Sequence, residues 1–243
     1  QGKKVYHYAC KIINEMDVLE NMAARGMTRW IRISMNPSSW LANQFVDFYN
    51  QTYEKNYHFQ VTTAGVRSVM ERVRDYLDDI GFVYIFSQQK ENFLHELAKN
   101  KMQFVPMYET EVILYPGQKT ELYASGKESV EPEDLKGLRF IQNYQDEFFD
   151  IGAAGEDGFQ WRDLDISVLT NSDYIMEKML KNSRASNVSG SYLSENKKGT
   201  TPGIPLHMGD SRVIFGHILH RGEKIDESVQ EFLDFLMERL PKS

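Results

Sequence analysis

Trp30-Ile31-Arg32-Ile33-Ser34-Met35 followed by Asn36-Pro37-Ser38-Ser39 is the stretch that decides the fold. Its first six residues are strand-like, and Pro37-Ser38-Ser39 opens a helix that carries Leu41, Phe45, Phe48 and Thr52 on one face. The same rhythm follows downstream. His58 to Thr62 reads as a second strand, and Gly65 leads into a helix with Val66, Val69, Val73 and Leu77 inward. Ile80 to Phe86 is a third strand, apolar enough to be buried on both faces. A βαβαβ order implies a parallel sheet with right-handed crossovers.

Beyond it, Phe104 to Tyr115 is expected to be a long strand interrupted early by Pro106. Residues 116–137 are rich in Gly, Pro, Ser and charge and read as loop with a short helix. Then the rhythm returns. Leu138 to Ile141 and Leu164 to Leu169 are strands, and Ser172 caps a helix bearing Ile175, Met176, Met179 and Leu180. Residues 183–203 are polar and contain glycine. Arg212 to Leu219 is a strand, and Asp226 caps a final helix with Val229, Phe232, Leu233, Leu236 and Leu240. The signature is α/β: two lobes of similar plan joined by two long strands, with no internal repeat.

Residues 3–25 read as a helix of a different kind. Val5, Ala9, Ile12, Met16, Leu19 and Ala23 form a heptad seam, and Arg25-Gly26 ends it. Such a helix either packs on its own domain or pairs with another copy. The formal net charge of -7 argues against nucleic-acid binding by this chain, since its densest basic stretches are only Lys3-Lys4 and Lys197-Lys198. The single cysteine, Cys10, excludes an internal disulfide and fits a reducing, cytoplasmic compartment. No apolar run approaches the ~20 residues needed to span a membrane, and no signal-peptide pattern stands at the start.

The strand ends carry the chemistry. In open α/β sheets ligands bind beyond the carboxyl ends of the strands. Here those ends are Asn36-Pro37-Ser38-Ser39, Thr62-Thr63, Ser87-Gln88, Gln142-Asn143 and Thr170-Asn171-Ser172. All offer hydroxyls or amides, and none offers a carboxylate or a lysine. The same residue types are preferred helix N-caps, so each also has a plain structural use. Helix N-termini converging there would favour a small anion or a polar metabolite.

Catalytic signatures are missing. There is no Gly-x-Ser-x-Gly elbow, and Gly117-Gln118-Lys119-Thr120 lacks the glycine of a P-loop. Gly152, Gly155 and Gly158 do not match a dinucleotide fingerprint. His217 and His220, three apart in a strand, point to opposite faces and make a poor metal site, and His95-Glu96 lacks the second histidine of a zincin. Asp78-Asp79, at a helix-to-strand turn, is expected to be solvated. Trp40 and Trp161 suit core or contact positions. The expectation is a binding protein, not an enzyme, with no cofactor and no metal.

In the order of these motifs the chain resembles the effector-binding domain of LysR-type transcription regulators, with the linker helix attached and the winged-helix DNA-binding domain absent. Ile31-Arg32-Ile33-Ser34 before the Pro-Ser helix start resembles the first strand and ligand loop. Asp79-Ile80-Gly81-Phe82-Val83 resembles strand three, and Val130-Glu131-Pro132-Glu133-Asp134-Leu135-Lys136-Gly137 before Phe140-Ile141 resembles the Leu-x-Asp-Leu signature. Ser189-Gly190-Ser191-Tyr192-Leu193 departs from the Gly-x-Gly-Ile stretch usual in the second lobe.

The resemblance implies two Rossmann-like lobes with the type 2 periplasmic-binding-protein-like fold. Residues 1–26 would be the linker helix, 27–107 with 211–243 lobe I, and 108–210 lobe II. A small-molecule effector would sit in the cleft between lobes, touching Ser38, Ser39, Thr63 and Ser87, with Asn143 and Asn171 from lobe II. Partners would be that effector, a second copy in a dimer or tetramer, and DNA only through the winged-helix domain. A solute-binding protein of a transport system, which shares the fold, is the alternative.

Overall fold

The computed structural model describes residues 29–143, 164–190, 202–207, 209 and 211–241, with scattered positions between 2 and 16. Leu19, Ala23, Arg25-Gly26, Cys10, Trp161, Gly152, Gly155, Gly158, Ser191 to Leu193 and both lysine pairs lie outside the described residues. Two compact units emerge. Gln1–Val83, Phe93–Met107 and Gly216–Lys242 form the first, and Tyr84–Asn92 with Tyr108–Phe215 forms the second.

The first unit begins with β1 (Arg29–Met35), α1 (Ser39–Gln51), β2 (Tyr57–Thr63), α2 (Val66–Arg74) and β3 (Ile80–Phe86). β1 pairs in parallel with both β2 and β3, as the βαβαβ reading requires. The helices form where the sequence starts them. The Ser38 hydroxyl accepts from the Leu41 N–H at 3.2 Å and caps α1. Leu41 and Phe48 are buried on its inner face, and Trp40 fills core. α2 buries Val66, Val69 and Val73. Leu77 is exposed instead: α2 ends at Arg74, and Tyr76 takes a left-handed φ of 57°, so the helical period stops before it reaches Leu77. α2 approaches β3 closely because Gly81 has no side chain there, and a Cβ would lie 2.5 Å from Val69 Cγ1.

Asp78 corrects the reading of a solvated turn. It is 2% exposed and receives Arg72 Nε at 2.6 Å and Nη2 at 3.0 Å. The charge is tolerated because a fork of two hydrogen bonds compensates its lost hydration. The Asp78 hydrogen bond in turn raises the Arg72 pKa above its ordinary value.

α3 (Lys90–Lys99) has no counterpart in the sequence reading, although Phe93 and Leu97 are buried at helical spacing. β4 (Met102–Tyr115) runs straight through Pro106, which is exposed. The last elements are β9 (Arg212–His220) and α6 (Glu227–Met237). Asp226 caps α6 by accepting from the Ser228 N–H at 2.8 Å. Phe232 packs on Phe48 at 4.9 Å and on Phe82 at 5.8 Å between ring centres. The chain passes between units inside β3, α3, β4 and β9.

The second unit adds α4 (Glu121–Ala124), β5 (Arg139–Asn143), β6 (Asp165–Thr170), α5 (Asp173–Asn182), β7 (Ala185–Gly190) and β8 (Ile204–Pro205). β5 lies between β7 and β6, parallel to both, and β4 runs antiparallel to β7 and β8. Its core gathers Phe86, Val112, Leu114, Val130, Leu135, Phe140, Val188 and Val213. Leu135 reaches that core from a short 3-10 turn whose Glu131 N–H donates to Asp134 Oδ2 at 3.1 Å. Gly137 follows at φ 81°, a turn that side chains disfavour, and sends the chain into β5. β7 is the element least visible in sequence: Ala, Ser, Asn and Gly are buried there because β4 and β5 flank it.

Candidate functional site

In the first unit the carboxyl ends of β1, β2 and β3 are tied together at Asn36. Met35 stands opposite Thr63 on one side and Phe82 on the other. The Asn36 N–H donates to the Phe82 carbonyl at 3.0 Å, and its Nδ2 donates to the Ala64 carbonyl at 2.9 Å. Asn36 is therefore a positioning residue: buried, it holds three strand ends in one place.

Two helices start from this edge. α1 begins at the Ser38 cap, and α2 begins at Gly65 with no side-chain cap. Neither has an acidic residue in its first turn. Helix starts offer N–H groups and a partial positive charge, and no carboxylate of their own first turns opposes it. Of the three residues expected here, Ser38 has its acceptor role taken by Leu41, while Ser39 and Thr63 are exposed.

In the second unit Ser87 follows β3 and accepts from the Arg212 N–H at 3.0 Å. Beside it Gln88 Nε2 donates to the Ser211 hydroxyl at 2.8 Å, and Arg212 Nη1 donates to the Ser211 carbonyl at 3.0 Å. Ser211 and Arg212 were not among the residues expected from sequence; they lie far along the chain and only the fold brings them to Ser87.

The end of β5 and the middle of β7 carry a cluster of amides. Asn143 stands opposite Thr170. Asn187 Nδ2 donates to the Ile141 carbonyl at 2.9 Å and to Gln142 Oε1 at 3.0 Å. The Ser172 hydroxyl caps α5 through the Ile175 N–H at 3.4 Å, and its own N–H donates to Thr170 Oγ1 at 3.1 Å. Asn171 is exposed. Asn187 was missed because it sits in a stretch whose composition reads as loop.

A cavity of about 630 Å³ in the first unit is lined by Phe45, Tyr49, Tyr53, Tyr57 and Phe59, among others. It takes in the end of α1 and the start of β2, and contains none of the candidate residues. His217, 7% exposed against Phe82, is held neutral by burial, its pKa pushed down to about 4. Among the described residues no group of three His, Cys, Asp or Glu side chains is placed to hold a metal ion. Nor is any described helix long and apolar enough to cross a membrane.

The fold these units define is that of LysR-type effector-binding domains, the type 2 periplasmic-binding-protein-like architecture. The effector-binding domain of QuiR in complex with shikimate matches with a TM-score of 0.61 at 11% identity, over 86% of this chain and 95% of that one. The Synechocystis CcmR regulatory domain in complex with 2-PG matches at 0.63 and 12% identity, over 88% and 98%. HinK, a LysR family transcriptional regulator from Pseudomonas aeruginosa, matches at 0.64 and 13% identity, over 100% and 80%. No family profile matches the sequence, and no curated protein is similar to it.

Proposed function

We propose that this chain is the effector-binding domain of a LysR-type transcription regulator, acting in the cytoplasm, and that it binds a small polar molecule without transforming it. The observation that carries this reading is the Asn36 knot, which sets three parallel strand ends beside two helix starts free of acidic residues. The strand-end residues supply hydrogen bonds and partial charge but no general acid or base. That chemistry suits recognition, and a small anion above all. Ser38, Ser39 and Thr63 from the first unit, and Ser87, Asn143 and Asn171 from the second, are the proposed effector contacts. Signalling requires that the effector bind one conformation of the domain more tightly than another. DNA contact belongs, on this reading, to the winged-helix domain of the regulator.

Self-association is part of the proposal. Val5, Ala9, Ile12 and Met16 are helical and exposed, the bulkiest of them more than half accessible. A second copy of the same stripe would cover them. Light scattering of the chain at micromolar concentration is expected to show a dimer or tetramer, and Ile12→Glu to shift it toward monomer. A wild-type monomer would remove this part of the reading.

A thermal-shift panel of amino acids, aromatic and aliphatic acids, sugar phosphates, shikimate and 2-PG tests the effector role. Saturation at 100 times the dissociation constant adds about 2.7 kcal/mol, or roughly 5–10 °C for a domain of this size. Thr63→Ala should reduce the shift. Turnover of a bound compound would point to an enzyme instead.

A further inference from the structure

We propose that the aromatic cavity at the end of α1 binds a methylated ammonium ion, a second ligand distinct from the effector. The cavity, of about 630 Å³, is lined by residues of the first unit alone and has the size of a small-ligand site. Tyr57 and His58 in its wall stand opposite Arg29 and Trp30, the first residues of β1. Met35 and Thr63 lie at the other end of the same two strands, so the cavity is separate from the proposed effector contacts.

Local sequence builds the cavity. Phe45, Tyr49 and Tyr53 recur every four residues, so they follow one face of α1 into the 3-10 turn Tyr53–Lys55. Asn56, at φ 53°, turns the chain into β2, and Tyr57 and Phe59, two apart, share one face of that strand. Neighbouring rings meet nearly edge to face: Tyr49 and Tyr53 at 80°, Tyr57 and Phe59 at 88°, Phe45 and Phe59 at 87°. A flat ligand needs parallel walls. Rings set across one another suit a rounded group.

Charge decides what that group is. The Tyr57 hydroxyl donates to Glu231 Oε2 at 2.9 Å, and Lys55 Nζ donates to Oε1 of the same carboxylate. Glu227 also acts on Lys55, and Glu54 precedes it in the 3-10 turn, so three carboxylates accompany one ammonium. A phenol that donates to a carboxylate has a more electron-rich ring, and ring faces attract cations. Among the described residues no cation lies over Tyr49 or Tyr53, although these rings are 42% and 67% exposed. Large aromatic side chains left open side by side mark a binding surface. A methylated ammonium fits it: the ion is rounded, carries positive charge, and has few or no N–H groups whose hydration must be replaced.

The test titrates the whole chain with tetramethylammonium, with choline, and with 3,3-dimethylbutan-1-ol, the uncharged isostere of choline, by calorimetry and saturation-transfer NMR. Choline is expected to bind about tenfold more tightly than the isostere. Tyr53→Ala, at an exposed position, should weaken choline about threefold to tenfold. Tyr53→Phe should keep it, because the ring face and not the hydroxyl makes the contact. Equal binding of choline and its isostere would show a merely apolar groove and overturn the proposal. Absence of tetramethylammonium and choline binding, with the chain folded by circular dichroism, overturns it as well. Choline binding that survives both Tyr49→Ala and Tyr53→Ala places the cation elsewhere and does the same. If neither cation binds and Tyr53→Ala lowers the mass seen by light scattering, this face belongs to a second copy instead. None of these outcomes bears on the effector reading, which the panel of acids and sugar phosphates tests separately.

Discussion

The Ser87 hydroxyl accepts a hydrogen bond from the Arg212 backbone N–H at 3.0 Å, joining the end of β3 to the start of β9. The residues are 125 positions apart. A hydroxyl that accepts from the backbone still has its own proton to give, and under the proposed function Ser87 would offer it to the effector. Ser87→Ala orphans the Arg212 N–H and is expected to cost about 1 kcal/mol, read as a lower urea midpoint at unchanged slope. It should also weaken effector binding. Weaker binding with full stability would mean that this backbone bond contributes nothing.

His217 gives the fold an acid-sensitive core. Its folded pKa is about 4, below the ordinary 6.5, because burial disfavours the charged ring. The unfolded chain therefore binds the proton more readily than the folded one. The stability held by neutral His217 is complete above pH 6.5 and is lost as pH falls toward 4. The loss across that window is on the order of 3 kcal/mol. Denaturant unfolding at a series of pH values should show the slope, and His217→Leu should flatten it. An unchanged slope in the variant would place the acid sensitivity elsewhere.

Breaking the Arg72–Asp78 pair from one side strands a carboxylate whose side chain is 0% exposed. Arg72→Leu is expected to cost about 3 kcal/mol. Adding Asp78→Asn should recover part of that loss, which a double-mutant cycle in urea measures. A loss no greater than a typical surface change would show that the bidentate geometry contributes little.

Gly81→Ala places a methyl 2.5 Å from Val69 Cγ1 and 3.0 Å from Val73 Cγ2. Overpacking of this kind costs typically 1–3 kcal/mol, roughly. The change should lower the melting temperature without altering the effector-induced shift, since Gly81 touches none of the proposed contacts.

The parts legible from sequence were those whose physics is local. Ser38, Ser172 and Asp226 announce helix starts because each side chain bonds an N–H two or three residues ahead. The alternation of strand and helix in residues 30–86 announced a parallel sheet because apolar spacing and turn residues lie within one short window. Leu77 misled because one left-handed residue, Tyr76, ends a pattern that spacing alone would continue.

Of the candidate site, topology pointed to the strand ends, and the resemblance to LysR-type domains implied Ser38, Ser39, Thr63, Ser87, Asn143 and Asn171 among them. It could not say which of those groups already had partners. Arg212 at Ser87 and Asn187 beside Gln142 depend on strands brought side by side. Likewise Asp78 looks solvated until Arg72 covers it, and β7 looks like loop until β4 and β5 enclose it. Periodicity and capping, which act over a few residues, were determined by the sequence itself. Burial of polar groups and the pairing of their hydrogen bonds were decided only by tertiary structure, because each depends on atoms that the chain supplies from far away.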